Sequence, residues 1–541
     1  MIEKRINITR KDKFPVETIR NIRKELQSFN IRTRIVNVSK TKSIYSIRLE
    51  IRDMPGVGVN GKGISFMYAL ASAYSEFMER FQSGFLLKSV YLNKEQKKYS
   101  FRDEVSCDIN ILYNNYRNLI ENSIFPKVVN KGLIWKELNK KDDLRKISYF
   151  TNLITDNKVQ LPISLINFVT HTNGLCSGNS RNEALVQGIC EVFERYCYRT
   201  IITNNIPTKI IDIGDKLEGT LGWIKKRGYK YEVRDFSLGI FPVVALIIYN
   251  DDECYQISVG SDPVLDIAIQ RCITELFQGL SFRKLKNKLK RKNSKYEELE
   301  KQYGDTFVNA NWMKCYTTNN GMVSNAFFKS VEQVDNIEQL PFINNMNNGE
   351  CLEYLLSICR NRHYPVFIKE YTRKSFKTYR VYIPGMSEVD IMSDDELTAL
   401  FLADELKDSY YNPLKISETI HKYNELDKNI RFSILQKPHN FFKVDNSGLS
   451  YYFCLDFKEL FVLSVLISED DIELFKCIQG DGGENSALYS YGKMNKKQRK
   501  CELQKTIKLL KPPSCPDCKE CLIKKKCKYK EWKKLQEKIY A

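Results

Sequence analysis

Three segments of this chain line one helical face with carboxylates, amides and hydroxyls, and a fold must bring such faces either to water or to cations. In the first, about Ser65 to Phe81, Ser72, Glu76 and Glu79 recur at i, i+4 and i+7. At about 100° per residue that spacing keeps them in one stripe. In the second, about Arg181 to Tyr198, Glu183, Gln187, Glu191 and Glu194 share one face, spread over roughly 80°. In the third, about Leu265 to Phe282, Arg271, Glu275 and Gln278 repeat the pattern. Apolar or small residues flank every stripe. A solvated helix face is usually mixed in sign with lysine, whereas these are nearly all acidic. Like charges one turn apart cost roughly a few tenths of a kcal/mol per pair. Six carboxylates on neighbouring helices therefore call for cations between them. Hard oxygen ligands in that number suit Mg²⁺, and Arg80, Arg195 and Arg271 suit phosphate oxygens. Spacing alone leaves two readings open: a Mg–nucleotide site, or an ion-paired or solvated cluster.

The pattern around these helices is α/β. Residues 16–29 have the spacing of an amphipathic helix, with Val16, Ile19, Ile22, Leu26 and Phe29 on one side. Residues 45–51 alternate as a strand, and further strands are expected at 147–153, 159–169, 229–235, 241–249, 364–370 and 378–383. Gly56 to Gly63 reads as a glycine-rich loop, and Asn173 to Asn179 as a second loop opening the long helix. Gly56, Gly58, Gly61 and Lys62 match the outline of a phosphate-binding loop, but Gly63 stands where a metal-binding hydroxyl is needed. The acidic residue a dinucleotide fingerprint wants about 20 residues on would fall inside a helix. A flexible turn is the simpler reading.

The chain is 541 residues long with a net charge of +19, a balance that invites a nucleic-acid reading. From Lys493 onward there are 17 basic and 5 acidic residues, so the preceding 492 carry only about +7. The charge belongs to a tail. No apolar run reaches the roughly 20 residues of a membrane span, and the first residues do not read as a signal peptide. A cytoplasmic protein is expected. In that compartment the 16 cysteines are thiols or metal ligands rather than disulfides. Those set among apolar residues, such as Cys190, Cys197 and Cys272, read as small buried hydrophobes.

The motifs on the three helices resemble those of the YcaO family. Asn60-Gly-Lys-Gly63 with Ala71-Ser-Ala-Tyr-Ser-Glu-Phe-Met-Glu-Arg80 is similar to its first ATP motif. Ser177-Gly-Asn-Ser-Arg-Asn-Glu-Ala184, with Gln187-Gly and Glu191-Val-Phe-Glu-Arg195, is similar to the second. Arg271-Cys-Ile-Thr-Glu-Leu-Phe-Gln278 is similar to the third, and Tyr382-Ile-Pro-Gly-Met-Ser-Glu388 resembles the stand-alone bacterial branch. The resemblance covers roughly residues 1–390. It implies helices packed on mixed sheets around an ATP site without a phosphate loop. It also implies phosphorylation of a peptide-bond oxygen, after which a thiol, hydroxyl or sulfide attacks the amide carbon. Carried over by motif, Glu76, Glu79, Glu183, Glu191, Glu194 and Glu275 are the Mg²⁺ ligands. Lys11, Thr18, Ser72, Cys176, Asn179, Arg195 and Arg271 are the nucleotide contacts, with Cys176 standing where a related branch has serine. Azoline-forming members usually end in a proline-rich tail, and the terminal Lys-Ile-Tyr-Ala541 departs from it, which counts against azoline formation. Stand-alone members have been linked to methylthiolation of a ribosomal small-subunit protein as accessory factors. The expected partners are therefore a peptide or protein substrate, a methylthiotransferase or ribosomal protein, and a second copy in a homodimer.

Three parts are expected: an ATP-utilising domain over 1–392, a small mainly helical appendage over 393–492, and a basic tail over 493–541. The tail carries Cys515, Cys518, Cys521 and Cys527. Four thiols within 13 residues suit tetrahedral Zn²⁺. An iron–sulfur cluster is the alternative, since the first three have a ferredoxin-like spacing, and simple unligated thiols are a third.

Overall fold

The computed structural model describes residues 10–86, 101–250, 254–278, 290–291, 295–319, 321–329, 333–334, 339–344, 346–400, 426–430, 433, 438–444, 450–456 and 529–540. Helix α1 (Pro15–Ser28) starts with proline at its first position, where no intrahelical N–H is needed. It leads into an antiparallel sheet of β1 (Thr33–Thr41), β2 (Ile44–Ile51) and β3 (Met54–Gly63). Helix α2 (Phe66–Gln82) comes next, capped by the Ser65 hydroxyl, which accepts from Tyr68 N at 3.3 Å.

The glycine-rich stretch is thus a strand and not a loop. Its glycines serve close approach. A Cβ on Gly61 would lie 2.2 Å from Ala69 O and 2.3 Å from Ala73 N. One on Gly63 would lie 2.6 Å from Ala69 N. The strand lies directly on α2, and only hydrogen side chains fit between them.

Further along come β4 (Lys146–Asn152), β5 (Lys158–Leu161), α3 (Ile163–Thr170), β6 (Leu175–Gly178) and α4 (Arg181–Thr203). The strand expected over 159–169 is interrupted at Pro162 and continues as a helix. The second expected loop holds β6. Helix α4 runs five residues beyond its expected end and is capped by Ser180, which accepts from Glu183 N at 3.1 Å.

A second sheet contains β7 (Tyr229–Asp235), β8 (Val243–Asn250) and β9 (Cys254–Ser261), and α5 (Leu265–Leu276) packs on it. Successive residues of β8 serve two cores. Val243, Ala245 and Ile247 join the core around α4, whereas Val244, Leu246 and Ile248 join the core beneath α5. Burial on both faces explains why this strand is apolar throughout. Helices α6 (Asp305–Thr318) and α7 (Asn348–Asn361) complete the α4 core. Strands β10 (Phe367–Glu370) and β11 (Lys377–Tyr382) form a third antiparallel sheet with β4 and β6. In the second sheet a short parallel pair, Gln333–Val334 with Ile210–Ile211, makes it mixed.

The C-terminal third departs from a plain helical appendage. A helix is described over 394–400, but β12 (Pro438–Val444) and β13 (Ser450–Asp456) form an antiparallel hairpin. The rest of the expected appendage, from 457 to 492, lies outside the described residues, as do the four clustered cysteines. Helix α8 (Tyr529–Tyr540) packs back on the first layer: Leu535 and Ile539 are buried in the core formed by α1, β2, β3 and α2. Among the described residues, Cys190, Cys197 and Cys272 are buried free thiols, as expected. No helix among them is long and apolar enough to cross a membrane.

Candidate functional site

The three acidic faces meet on one cavity of about 1290 Å³. Helix α2 contributes Ser72, Glu76, Glu79 and Arg80. Helix α4 contributes Glu183, Gln187, Glu191, Glu194 and Arg195. Helix α5 and the turn after it contribute Arg271, Glu275 and Gln278. The segment before α1 closes one side through Lys11, and Thr18 of α1 adds to it. It is held by Arg10, whose guanidinium donates to both Asp262 oxygens at 2.9 and 2.8 Å and to Asn348 Oδ1 at 3.0 Å. Thr18 Oγ1 donates to Asn179 Oδ1 at 2.9 Å, and Asn179 Nδ2 donates to Glu183 Oε2 at 3.1 Å.

Of the nucleotide contacts expected from the motifs, Cys176 alone does not line the cavity. Successive residues of a strand point to opposite sides, and on β6 it is Ser177 that faces the cavity, donating to Ser75 O at 3.0 Å. Cys176 turns into the α4 core, where its thiol donates to Tyr379 O at 3.6 Å and fills the space left by Gly188.

The cations that the acidic stripes require are supplied partly by the chain itself. Lys62, at the end of β3, is ion-paired with Glu275 and donates to Gln278 Oε1 at 3.1 Å. Arg80 lies 3.5 Å from Glu79 and 3.9 Å from Glu76. Arg195 lies 3.4 Å from Glu194, and Lys11 3.2 Å from Glu183. Among the described residues, no group of three His, Cys, Asp or Glu side chains is set to hold a metal ion as it stands. The pairing is nevertheless incomplete. Burial pushes the Glu79 carboxyl up to about 8, against the pull of Arg80, and burial also raises Glu191. Burial lowers the Lys62 ammonium to about 8 despite Glu194 and Glu76 nearby. Arg80 Nη1 and Arg195 Nε are buried without a hydrogen-bond acceptor. Carboxylates short of positive charge beside guanidinium groups short of acceptors are what a polyphosphate carrying a divalent cation would satisfy together.

Sequence reasoning passes over the far wall. There Tyr316 of α6 lies beside Arg195, with its ring 5.6 Å from the guanidinium carbon, and His171 stacks toward it at 6.3 Å between ring centroids. His171 comes directly after α3 with φ 49° and ψ −114°. Thr170 O accepts from Asn173 N at 2.9 Å, so residues 170–173 form a turn with His171 at the first central position of the II′ type, glycine's usual place. A side chain there costs about 1–3 kcal/mol. The strain is imposed from below by the buried Arg380, which donates to Thr170 Oγ1 at 2.9 Å, Asn173 O at 3.1 Å and His171 O at 2.9 Å. A lone histidine has no spacing to betray it, and the strain is invisible without coordinates.

Comparison with known proteins bears on this site. The family model described as YcaO cyclodehydratase, ATP- and Mg²⁺-binding, matches residues 60–387. The ribosomal protein S12 methylthiotransferase accessory factor YcaO of Escherichia coli strain K12 is 24% identical over 371 residues, covering 64% of this chain and 60% of the relative. An uncharacterized protein of Haemophilus influenzae is 24% identical over 373 residues with the same coverage. The chain thus spans about 60% of the length of these curated relatives. Among solved structures, YcaO from Methanopyrus kandleri bound with AMPPCP and Mg²⁺ is similar with a TM-score of 0.47 and 18% identity, covering 72% of this chain and 95% of that one.

Proposed function

This chain belongs to the YcaO family, and we propose from that premise that it uses Mg-ATP to activate a backbone amide of a peptide or protein. The observation that carries the reading is the cavity itself: six carboxylates from three helices share it with buried guanidinium nitrogens that lack acceptors. Glu76, Glu79, Glu183, Glu191, Glu194 and Glu275 would hold Mg²⁺. Arg80, Arg195 and Arg271 would hold phosphate oxygens, with Ser72, Asn179, Lys11 and Thr18 around the nucleotide. Mg-ATP, when bound, supplies a phosphoryl group that makes the amide oxygen a leaving group, with positive charge to steady the transfer. The chain's own work is to orient and to neutralise. Its arginines are pre-set by helix packing, so they need no reorganisation as charge spreads over the phosphoryl oxygens.

A second reading comes from the relative in Escherichia coli, whose name is that of an accessory factor: the chain binds ATP and serves a methylthiotransferase. The two separate in one experiment. Purified protein is given Mg-ATP and a degenerate peptide library containing Cys, Ser and Thr. ADP release is measured together with mass spectra for loss of water or exchange of oxygen for sulfur. Peptide-dependent ADP release supports amide activation. Mg-ATP binding without peptide-dependent turnover supports the accessory role.

A further inference from the structure

We infer that His171 and Asp390 form the proton-transfer pair of this site, with His171 as the base that receives the proton of the nucleophile attacking the activated amide. The inference rests on the amide-activation reading. His171 Nε2 is buried, without a hydrogen-bond partner, and faces Asp390 Oδ2 at 3.7 Å. The His171 side chain as a whole is 40% exposed and that of Asp390 15%, so the ring keeps its other nitrogen open to the cavity that both residues line. One nitrogen toward a carboxylate and the other toward the reaction space is the arrangement of a base with its orienting group.

Both partners are held independently. Asp390 N and Val389 N donate to Val169 O at 3.0 and 2.9 Å, which ties the Asp390 backbone to the residue two before His171. Arg380 clamps the turn that projects His171, and the imidazole occupies a backbone position that glycine would fill without strain. The site thus tolerates strain for the sake of a side chain. The charged and titratable groups around the ring are Asp390 on one side and Tyr316 on the other, with Arg195, Glu191 and Arg80 around Tyr316. The wall Arg195–Tyr316–His171 places the Tyr316 ring between the base and the arginine that would hold phosphate.

Atoms and electrons balance in the proposed step. The nucleophile, a thiol, hydroxyl or hydrosulfide, passes its proton to the open ring nitrogen of His171 as its lone pair bonds to the amide carbon. The carbonyl π pair moves onto oxygen, which takes the γ-phosphoryl group as the bond to ADP breaks. The phosphorylated oxygen then leaves with the C–O pair. A new double bond forms either to nitrogen, whose proton goes to solvent, or to the added sulfur, which has already given up its proton. His171 returns its proton to the departing phosphate.

The test uses the full chain with Mg-ATP and the degenerate Cys-, Ser- and Thr-containing peptide library. His171→Gly should melt higher than the wild type, because the turn is relieved, and bind Mg-ATP within about twofold by calorimetry. Its peptide-dependent ADP release should fall by about 100-fold or more, the usual contribution of a positioned base. Added imidazole should restore part of it. Asp390→Asn, which acts through the histidine, should lose less, and the conservative Asp390→Glu should recover part of that loss. If His171→Gly turns over peptide at the wild-type rate with an unchanged pH profile, the pair is overturned while amide activation stands. If the wild type binds Mg-ATP but shows no peptide-dependent ADP release, amide activation falls and the pair falls with it.

Discussion

The Lys62 ammonium is ion-paired with Glu275 and donates to Gln278 Oε1 at 3.1 Å, so the last turn of α5 is tied to the end of β3 by a cation sitting among metal-ligand candidates. The lysine that resembles part of a phosphate loop lies in the cavity after all, but on a strand and as an internal counter-ion.

Removing this internal cation should make room for an external one. Lys62→Met is expected to strengthen binding of Mg²⁺ alone by roughly fivefold, equivalent to about 1 kcal/mol, because Glu275 loses its competitor. Arg271→Ala should leave Mg²⁺ alone bound as before and weaken Mg-ATP by tenfold or more, about 1.4 kcal/mol. Calorimetry with Mg²⁺ and with Mg-ATP decides both. Loss of both ligands in Lys62→Met, with Arg271→Ala normal, would return the lysine to a phosphate-binding role.

Glu191→Gln and Glu194→Gln should each abolish Mg-dependent ATP binding yet shift the melting temperature in opposite directions. The Glu191 carboxyl is disfavoured by burial, so its amide should melt higher without ligand. Glu194 neutralises Arg195 at 3.4 Å, and its amide leaves that guanidinium uncompensated, so this variant should melt lower. Two shifts of the same sign would show that the carboxylates repel one another more than their arginines hold them.

Gly61→Ala should cost about 1–3 kcal/mol or more of stability by overpacking, since its Cβ would sit 2.2 Å from Ala69 O. A phosphate-loop glycine would instead report through nucleotide affinity. Denaturant melts beside ATP titrations separate the two, and a stable Gly61→Ala protein with lost ATP binding would overturn the packing role.

Glu388 gives a pH signature away from the cavity. Its carboxyl is fully buried, accepts from Tyr382 Oη at 2.7 Å, and is pushed by burial up to about 7 from the usual 4.5. Its folded value lies above its unfolded one. The stability this group contributes is therefore present in full below about pH 4.5 and is lost as pH rises through about 7. Wild type should lose on the order of 2–3 kcal/mol relative to Glu388→Gln between pH 4.5 and 8. Parallel stability curves for the two proteins across that range would count against it.

Much of the site is legible in the sequence because helices repeat. The stripes of Glu76 and Glu79, and of Glu183, Glu191 and Glu194, reflect a period of about 3.6 residues, and all of these residues face the cavity. The features that escape are set by tertiary contact or backbone strain. Gly58, Gly61 and Gly63 resemble a turn because glycine permits turns, whereas here they permit two elements to touch. Motif matching selects Cys176, but strand alternation hands its place to Ser177. Residues 163–169 are as apolar as a buried strand, and only the break at Pro162 separates their helix from the strand before it. Asp262 and Arg10 pair across about 250 residues, a separation that no local pattern spans.

Helix α8 adds a consequence in time. Leu535 and Ile539 complete a core whose other members begin at Ile19, and Tyr540 lies 5.0 Å, ring to ring, from Phe101. During synthesis at about 5–20 residues per second, the first residues of that core wait roughly 25 to 100 seconds for their last partners. Throughout that interval an apolar seat on α1 and α2 stands open on the nascent chain, a surface for a chaperone to shield and a place where two unfinished chains can exchange partners. The late contacts also span nearly the whole sequence, so closing this layer is a slow, high-contact-order step, and the layer begun first by the ribosome is among the last to be finished.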